Sequence, residues 1–280
     1  MKKGYSEIDY ESEYNKQVEK LEEYELKNLL KKKEAPYLYK TKTITSGKLT
    51  EVEIFPVFKY KRDRPRNKEK KTKQSQWNLN DKNARKKFIR YLCTNFANKD
   101  YWCTFNYAEP PESIEEAEKN MKNYIRRLNY RRKKDGLPSA RYMYITEIGS
   151  KGRVHHHLVI DGLVDRDTIE DLWTLGKRNH VRRLEEDDFG LTGLAAYLSK
   201  DPKGRKRWKG SKNLKKPKET ENYSRFRKNR VRKMARNQNS IETELKKEAP
   251  YKNLKFLDAD VRWNGVNGLF YIYARMVRKE

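Results

Sequence analysis

Three consecutive histidines, His155, His156 and His157, precede the apolar run from Leu158 to Ile160. An apolar run of this length predicts a β-strand, in which side chains alternate between the two faces. His155 and His157 then share one face, and His156 points to the other. Glu147 lies in the preceding strand-like run and shares the face of His155 and His157 if the strand register allows it. Two imidazoles and one carboxylate predict a site for Mn²⁺ or Mg²⁺ that acts on a phosphate group.

Tyr197 and Lys200 form a second pair, three residues apart in a predicted helix. This spacing places the ammonium group beside the phenol, or beside a phosphate that the phenol attacks. A phenol ionises only at about pH 10, so a nucleophilic tyrosine requires a nearby cation or a metal-polarised phosphate. The alternative for Tyr197, one of 19 tyrosines, is a packing role. The alternative for the histidines is that they are partly buried sheet residues or a surface anion site.

The composition of the chain indicates a polyanionic partner. Its 280 residues include 67 Lys and Arg against 40 Asp and Glu, a formal net charge of +27. Such an excess favours nucleic acid, whereas no apolar run approaches the roughly 20 residues that cross a bilayer. The first residues lack the apolar run of a secretory signal, which predicts a cytoplasmic protein. Cys93 and Cys103 have no metal-ligand spacing, so neither a disulfide framework nor a zinc finger is expected.

The elements that must position these side chains alternate between helix and strand. In order they are a helix from Asn80 to about Phe96, a strand at 101–107, a helix capped by Ser113 with Glu116 that frays at 131–134, a hairpin of strands 141–148 and 154–160, a helix capped by Asp165 or Asp167, a strand at 180–184 with His180 as a sheet residue, and a helix at 191–199. This order predicts an α+β fold with a central antiparallel sheet flanked by helices, of the ferredoxin-like type.

Composition shifts divide the chain into six predicted regions. They are a charged N-terminal helix (1–35), a β-hairpin turning at Ser46-Gly47 (36–61), a basic flexible linker (62–76), the α+β domain (77–202), a basic and partly disordered DNA-binding segment (203–240) and a C-terminal β-hairpin turning at Asn264-Gly265 (241–280). In the basic segment, aromatic residues alternate with cations, which offers both charge and stacking surfaces to nucleic acid. The residues predicted to contact DNA are Arg153, Lys203, Arg205, Lys206, Arg207, Trp208 and Lys212.

Three of these features together resemble a known superfamily. Thr104-Phe105 on the first strand, the His155-x-His157 strand and a downstream helix with Tyr197 and Lys200 are similar to the HUH endonucleases. Within that superfamily, the chain most resembles the rolling-circle replication initiators of small plasmids and phages, in the group related to the gene II protein of filamentous phages. The resemblance covers about Trp77 to Leu214 and includes the Ala-Tyr-Leu-Ser-Lys-Asp-Pro run around Tyr197.

The sequence departs from the family pattern in two places. His156 stands between the paired histidines where the family has a hydrophobic residue, so His156 could coordinate the metal if the strand bulges. The nucleophile helix holds one tyrosine, which indicates a single-tyrosine enzyme.

The resemblance implies a site-specific DNA endonuclease that also rejoins strands. Tyr197 would attack a phosphodiester of single-stranded origin DNA and form a 5′-phosphotyrosine link, which frees a 3′-OH for a host polymerase. His155, His157 and Glu147 would hold Mn²⁺ or Mg²⁺, and Lys200 would stabilise charge. The sequence has no phosphate-binding Gly-x-x-x-x-Gly-Lys-Ser/Thr loop, so a helicase is expected to come from the host.

Three alternatives stay open at this point. The first is a non-catalytic module that binds single-stranded nucleic acid on an aromatic sheet. The second is an HUH-type transposase or relaxase, which would share the chemistry. The third is a structural or regulatory protein that binds DNA through its basic segment.

Overall fold

A computed structural model describes residues 37–58, 74–149, 152–177, 179–187, 189–198, 208–264 and 268–278. Within them the elements are β1 Tyr37–Ser46, β2 Leu49–Phe58, α1 Gln74–Asn95, β3 Tyr101–Asn106, α2 Ile114–Lys134, β4 Tyr142–Ile148, β5 Val154–Ile160, α3 Arg166–Asp171, β6 His180–Arg183, α4 Thr192–Leu198, β7 Lys209–Gly210, β8 Lys218–Asn222, α5 Lys228–Arg236, α6 Ser240–Lys246, β9 Leu254–Asn264 and β10 Leu269–Arg278. The chain divides into one compact unit from residues 1–83 and 218–280 and a second from 84–217.

The predicted α+β class is confirmed. Each unit contains one five-stranded sheet, with strand orders β8-β1-β2-β10-β9 and β6-β3-β5-β4-β7. Every pairing of neighbouring strands is antiparallel. No helix among the described residues is long and apolar enough to cross a membrane.

The first unit joins three stretches of chain that are far apart in sequence. The β1–β2 hairpin turns at Ser46-Gly47 as predicted, and Gly47 has a φ of 61°, which glycine adopts without a steric cost. β9 and β10 form the predicted C-terminal hairpin, and the Gly268 N–H closes it by donating to the Asn264 carbonyl at 2.8 Å. Gly265, in the predicted turn, lies outside the described residues. The two hairpins therefore belong to one sheet.

The basic segment predicted to be partly disordered differs from the structure over its described part, residues 208–240. This part contains β7, β8 and α5. Phe226, Val231 and Met234 are fully buried in the core of the first unit, where they pack with Tyr39 and Ile272. Burial of these few apolar side chains orders a stretch whose other residues are mostly cationic, because tertiary packing supplies most of the stability of a short helix.

The sheet of the second unit carries a separate core on each face. Leu158 and Ile160 of β5 pack with α2 and α3 on one face. Val159 of β5 packs with α1 and α4 on the opposite face. Side chains alternate along β5, so His156 belongs to the α2 face and His155 and His157 belong to the α4 face. The sheet thereby separates the three histidines into two environments.

Helix α2 begins as the sequence predicted and ends later. The Ser113 hydroxyl accepts a hydrogen bond from the Glu116 N–H at 3.1 Å, and the Glu116 carboxylate accepts one from the Glu112 N–H at 2.6 Å. The predicted fraying at residues 131–134 is wrong, because α2 continues to Lys134. Arg132 is fully buried and donates to the Asp161 carboxylate at 2.8 Å. That buried ion pair holds the last turn against the strand ends.

Other predicted boundaries also differ from the structure. α1 begins at Gln74, ahead of the predicted cap at Asn80 and inside the predicted linker. Asp165 rather than Asp167 caps α3, and its carboxylate accepts a hydrogen bond from the Thr168 N–H at 2.8 Å. The N-terminal helix predicted over 1–35 and residues 62–73 of the linker lie outside the described residues.

Candidate active site

The strands β4 and β5 bring Glu147, His155 and His157 together on one face of the sheet. The Glu147 carboxylate lies 3.6 Å from His155 Nε2 and 3.3 Å from His157 Nε2. One ligand atom of each residue lies within 4.8 Å of the others. The two imidazole rings are perpendicular, with their centroids 4.9 Å apart. Three donor atoms thus converge on a space of the size of one metal ion.

The loop between β4 and β5 determines this register. The Gly149 N–H donates to the Arg153 carbonyl at 2.9 Å, and the Gly152 N–H donates to the Gly149 carbonyl at 2.9 Å. Gly152 has a φ of 75°, a left-handed conformation that other residues avoid. The ladder then pairs Glu147 with His155, Thr146 with His156 and Ile145 with His157 without a bulge.

Hydrogen bonds at the far side of each ring orient the two imidazoles. His155 Nδ1 lies 3.4 Å from the Arg153 carbonyl, which can only accept, so the proton of a neutral ring resides on Nδ1. His157 Nδ1 lies 3.2 Å from the Thr104 hydroxyl. Both arrangements leave Nε2 directed at the Glu147 carboxylate. Secondary contacts of this kind orient histidine ligands in metal sites, and this donor set fits a divalent cation such as Mn²⁺.

His156 is excluded from this cluster by its position in the strand. It is fully buried on the opposite face, where its Nε2 lies 2.8 Å from the Tyr107 hydroxyl and its Nδ1 lies 3.0 Å from the Thr146 hydroxyl. Burial, followed by the charges of His155 and His157, lowers the pKa of His156 to about 3. The ring is therefore neutral at physiological pH, and both of its nitrogens are engaged.

Tyr197 lies beside the cluster on α4. Its ring centroid is 5.9 Å from that of His157, and its side chain is 47% exposed. Ala195 and Leu198, on the buried side of the same helix, pack in the core against the sheet. This packing holds the helix over the cluster and leaves the phenol open to a substrate.

Trp102 is a further site residue that the sequence interpretation missed. Its ring centroid lies 6.3 Å from that of His157 and 6.0 Å from that of Tyr197. Alternation along β3 places Trp102 and Thr104 on the face that carries His157. That alternation was the available signal. The indole contacts both the tyrosine and a histidine of the cluster, so it fixes the spacing between them.

The structure places the remaining predicted site residues unevenly. Arg153 is exposed next to His155, and Lys212 is exposed on the second unit. The Trp208 ring packs against Phe88 and Tyr91, with centroids 5.9 and 5.7 Å apart, so its faces contribute to the fold. The predicted residues outside the described ranges are Lys200, Lys203, Arg205, Lys206 and Arg207.

Residues 100–202 match the family model of the replication-associated proteins of the ORF2 and gene II protein type. This stretch is similar to that replication-associated family. The predicted resemblance to rolling-circle replication initiators is thereby confirmed. No curated protein and no solved structure matches the chain significantly.

The family match covers every element that forms the candidate site. It begins just before β3, includes β4, β5 and α4, and ends two residues after Lys200. The resemblance and the clustered side chains are therefore properties of the same segment.

Proposed function

We propose that this chain initiates DNA replication by nicking single-stranded origin DNA through Tyr197, with a divalent metal ion held by Glu147, His155 and His157. The observation that carries the proposal is the position of Tyr197, whose ring lies 5.9 Å from that of His157. A packing tyrosine would be covered, whereas this side chain is half-exposed. The match to the replication-associated family supports the assignment to replication.

Each group has a separate role in the proposed reaction. The Tyr197 oxygen bonds to phosphorus as the bond from phosphorus to the 3′-oxygen breaks, so the number of phosphate ester bonds is unchanged. The phenol loses its proton to solvent, and the departing 3′-oxygen gains one to become a 3′-OH. A bound Mn²⁺ or Mg²⁺ neutralises charge on the non-bridging oxygens of the phosphate. The reverse reaction rejoins the strand without ATP.

Trp102 and Thr104 are the positioning residues of this proposal. Trp102 contacts the rings of Tyr197 and His157, and Thr104 contacts His157 Nδ1. Neither forms a bond to substrate. Both limit the motion of groups that must align with one phosphate, and such alignment supplies a large share of the rate in this type of reaction.

The direct test uses single-stranded oligonucleotides of random sequence, because a pool contains the cleavable site without its being known. With Mn²⁺, a 3′-labelled pool should give a labelled protein band that resists denaturant, and a 5′-labelled pool should give shorter free products with a 3′-OH. Excess chelator should prevent both. A labelled band from the 5′-labelled pool alone would reverse the polarity of the link, and no band from either pool would leave a non-catalytic binding module.

The basic segment is expected to add affinity that does not depend on sequence. Deleting residues 203–236 would not test this cleanly, because Phe226, Val231 and Met234 are in the core of the first unit. Replacing the exposed Arg227 and Arg236 with Gln keeps that core. The slope of log affinity against log salt for single-stranded DNA should become shallower by about 1.4, from about 0.7 per lost phosphate contact. An unchanged slope would remove α5 from the DNA-binding surface.

A further inference from the structure

A basic groove lies on the outer surface of α2, on the face of the sheet opposite Tyr197. The groove has a volume of about 580 Å³. It is lined by Arg126, Arg127, Tyr130, Arg131, Lys134 and Leu172, together with Asp135. Four cations and one carboxylate give it a strong positive charge. Neither the family match nor the proposed nicking reaction accounts for this groove.

The groove combines an exposed aromatic ring with cations. Tyr130 is 63% exposed, and the Lys134 ammonium lies 4.8 Å from the centroid of its ring. Leu172 adds an apolar surface at the edge. A large aromatic side chain gains nothing in folding from such exposure, whereas unpaired bases stack on rings placed among cations.

The cations of the groove are positioned without being neutralised. Arg127 donates to the Leu172 carbonyl at 2.9 Å, so its guanidinium is fixed at the wall of the groove and keeps its charge. Arg131 pairs with Asp135 at 3.0 Å, but both side chains are about half-exposed. A surface ion pair of this type contributes little to stability, so a phosphate can replace the carboxylate. Guanidinium groups bind phosphate through two parallel hydrogen bonds.

We propose that the α2 groove binds a second stretch of single-stranded DNA, separate from the strand at Tyr197. The inference extends the proposed function and rests on it only for the choice of DNA as the nucleic acid. Paired bases stack on each other and cannot reach Tyr130, so duplex DNA would use the charges alone. An acidic protein would also meet the charges, but it would have no flat bases to cover the exposed ring.

The test measures binding of the full chain to a fluorescent 30-nucleotide oligothymidylate, with chelator present so that no cleavage occurs. Tyr130→Ala should weaken binding about 10-fold, in the range of one lost stacking contact, whereas Tyr130→Phe should bind like the wild type. The double variant Arg126→Gln and Arg131→Gln should make the salt slope shallower by about 1.4. A 30-base-pair duplex should be bound equally by Tyr130→Ala and the wild type.

A matched control removes two charges elsewhere. Lys99→Gln with Lys252→Gln changes two exposed lysines outside the groove and should change the salt slope less than the arginine pair. Equal changes in the two double variants would overturn the proposal, as would an equal loss of duplex binding in Tyr130→Ala. Groove variants should give the wild-type adduct yield at saturating DNA. If the wild type forms no adduct at all, the nicking proposal fails while the binding result still decides the role of the groove.

Discussion

Tyr197→Phe should abolish the covalent protein–DNA adduct and the free 3′-OH, a loss of at least about 1000-fold. The change removes one oxygen, the atom that would bond to phosphorus, and keeps the ring that packs against Trp102 and His157. Because the side chain is half-exposed, the free energy of unfolding should change by less than about 0.5 kcal/mol. Mn²⁺ binding and DNA binding should persist, which calorimetry and fluorescence anisotropy would measure.

Comparison variants separate the nucleophile from its surroundings. Tyr223→Phe changes the next tyrosine downstream, in the first unit, and should leave the adduct intact. Lys200→Ala should slow the reaction without stopping it, since the lysine would stabilise charge and forms no bond. His157→Ala should also stop cleavage, but through lost metal binding. An adduct of normal yield from Tyr197→Phe would assign the nucleophile to another residue, with Tyr223 the first to examine.

His155→Ala and His156→Ala should have opposite effects although the residues are adjacent. Loss of His155 removes a proposed ligand from a partly exposed site, so Mn²⁺ affinity should fall by more than the roughly 100-fold that changes to outer contacts cost, with little change in stability. Loss of His156 removes hydrogen bonds to Tyr107 and Thr146 from a fully buried position. That change should lower the free energy of unfolding by about 3 kcal/mol.

Two measurements decide this comparison. Urea unfolding with chelator present reports stability without metal, and calorimetric titration with Mn²⁺ at low temperature reports the site in whichever variants are folded. His156→Ala should still bind Mn²⁺ at the cluster, because its side chain points away from it. The reverse pattern, with metal binding lost in His156→Ala and kept in His155→Ala, would mean that β5 is shifted by one residue in solution.

The sequence by itself determined the local features of the site. Alternation along a strand separates His155 and His157 from His156, whatever the strand packs against. The apolar spacing of α4 and the capping signal at Ser113 likewise depend on residues close in sequence, and the structure contains both helices. The α+β class followed from the order of such elements, and it is confirmed.

The tertiary structure decided which of these features meet. Glu147 faces His155 because the β4–β5 loop closes through Gly149 and Gly152, and a register shifted by one residue would have placed its carboxylate on the other face. Trp102 joins the site because β3 pairs with β5 across a long stretch of intervening chain. Neither pairing is encoded by spacing within one element.

The same distinction explains where the sequence interpretation was incomplete. The window around Val231 and Met234 is dominated by cations and predicts disorder, but its few apolar residues fill a core built from β1, β2 and β10. Arg132 looks like part of an exposed basic run until Asp161, distant in sequence, supplies its buried partner. Local spacing determines which face a side chain occupies, whereas burial and ion pairing depend on partners that only the folded chain brings within reach.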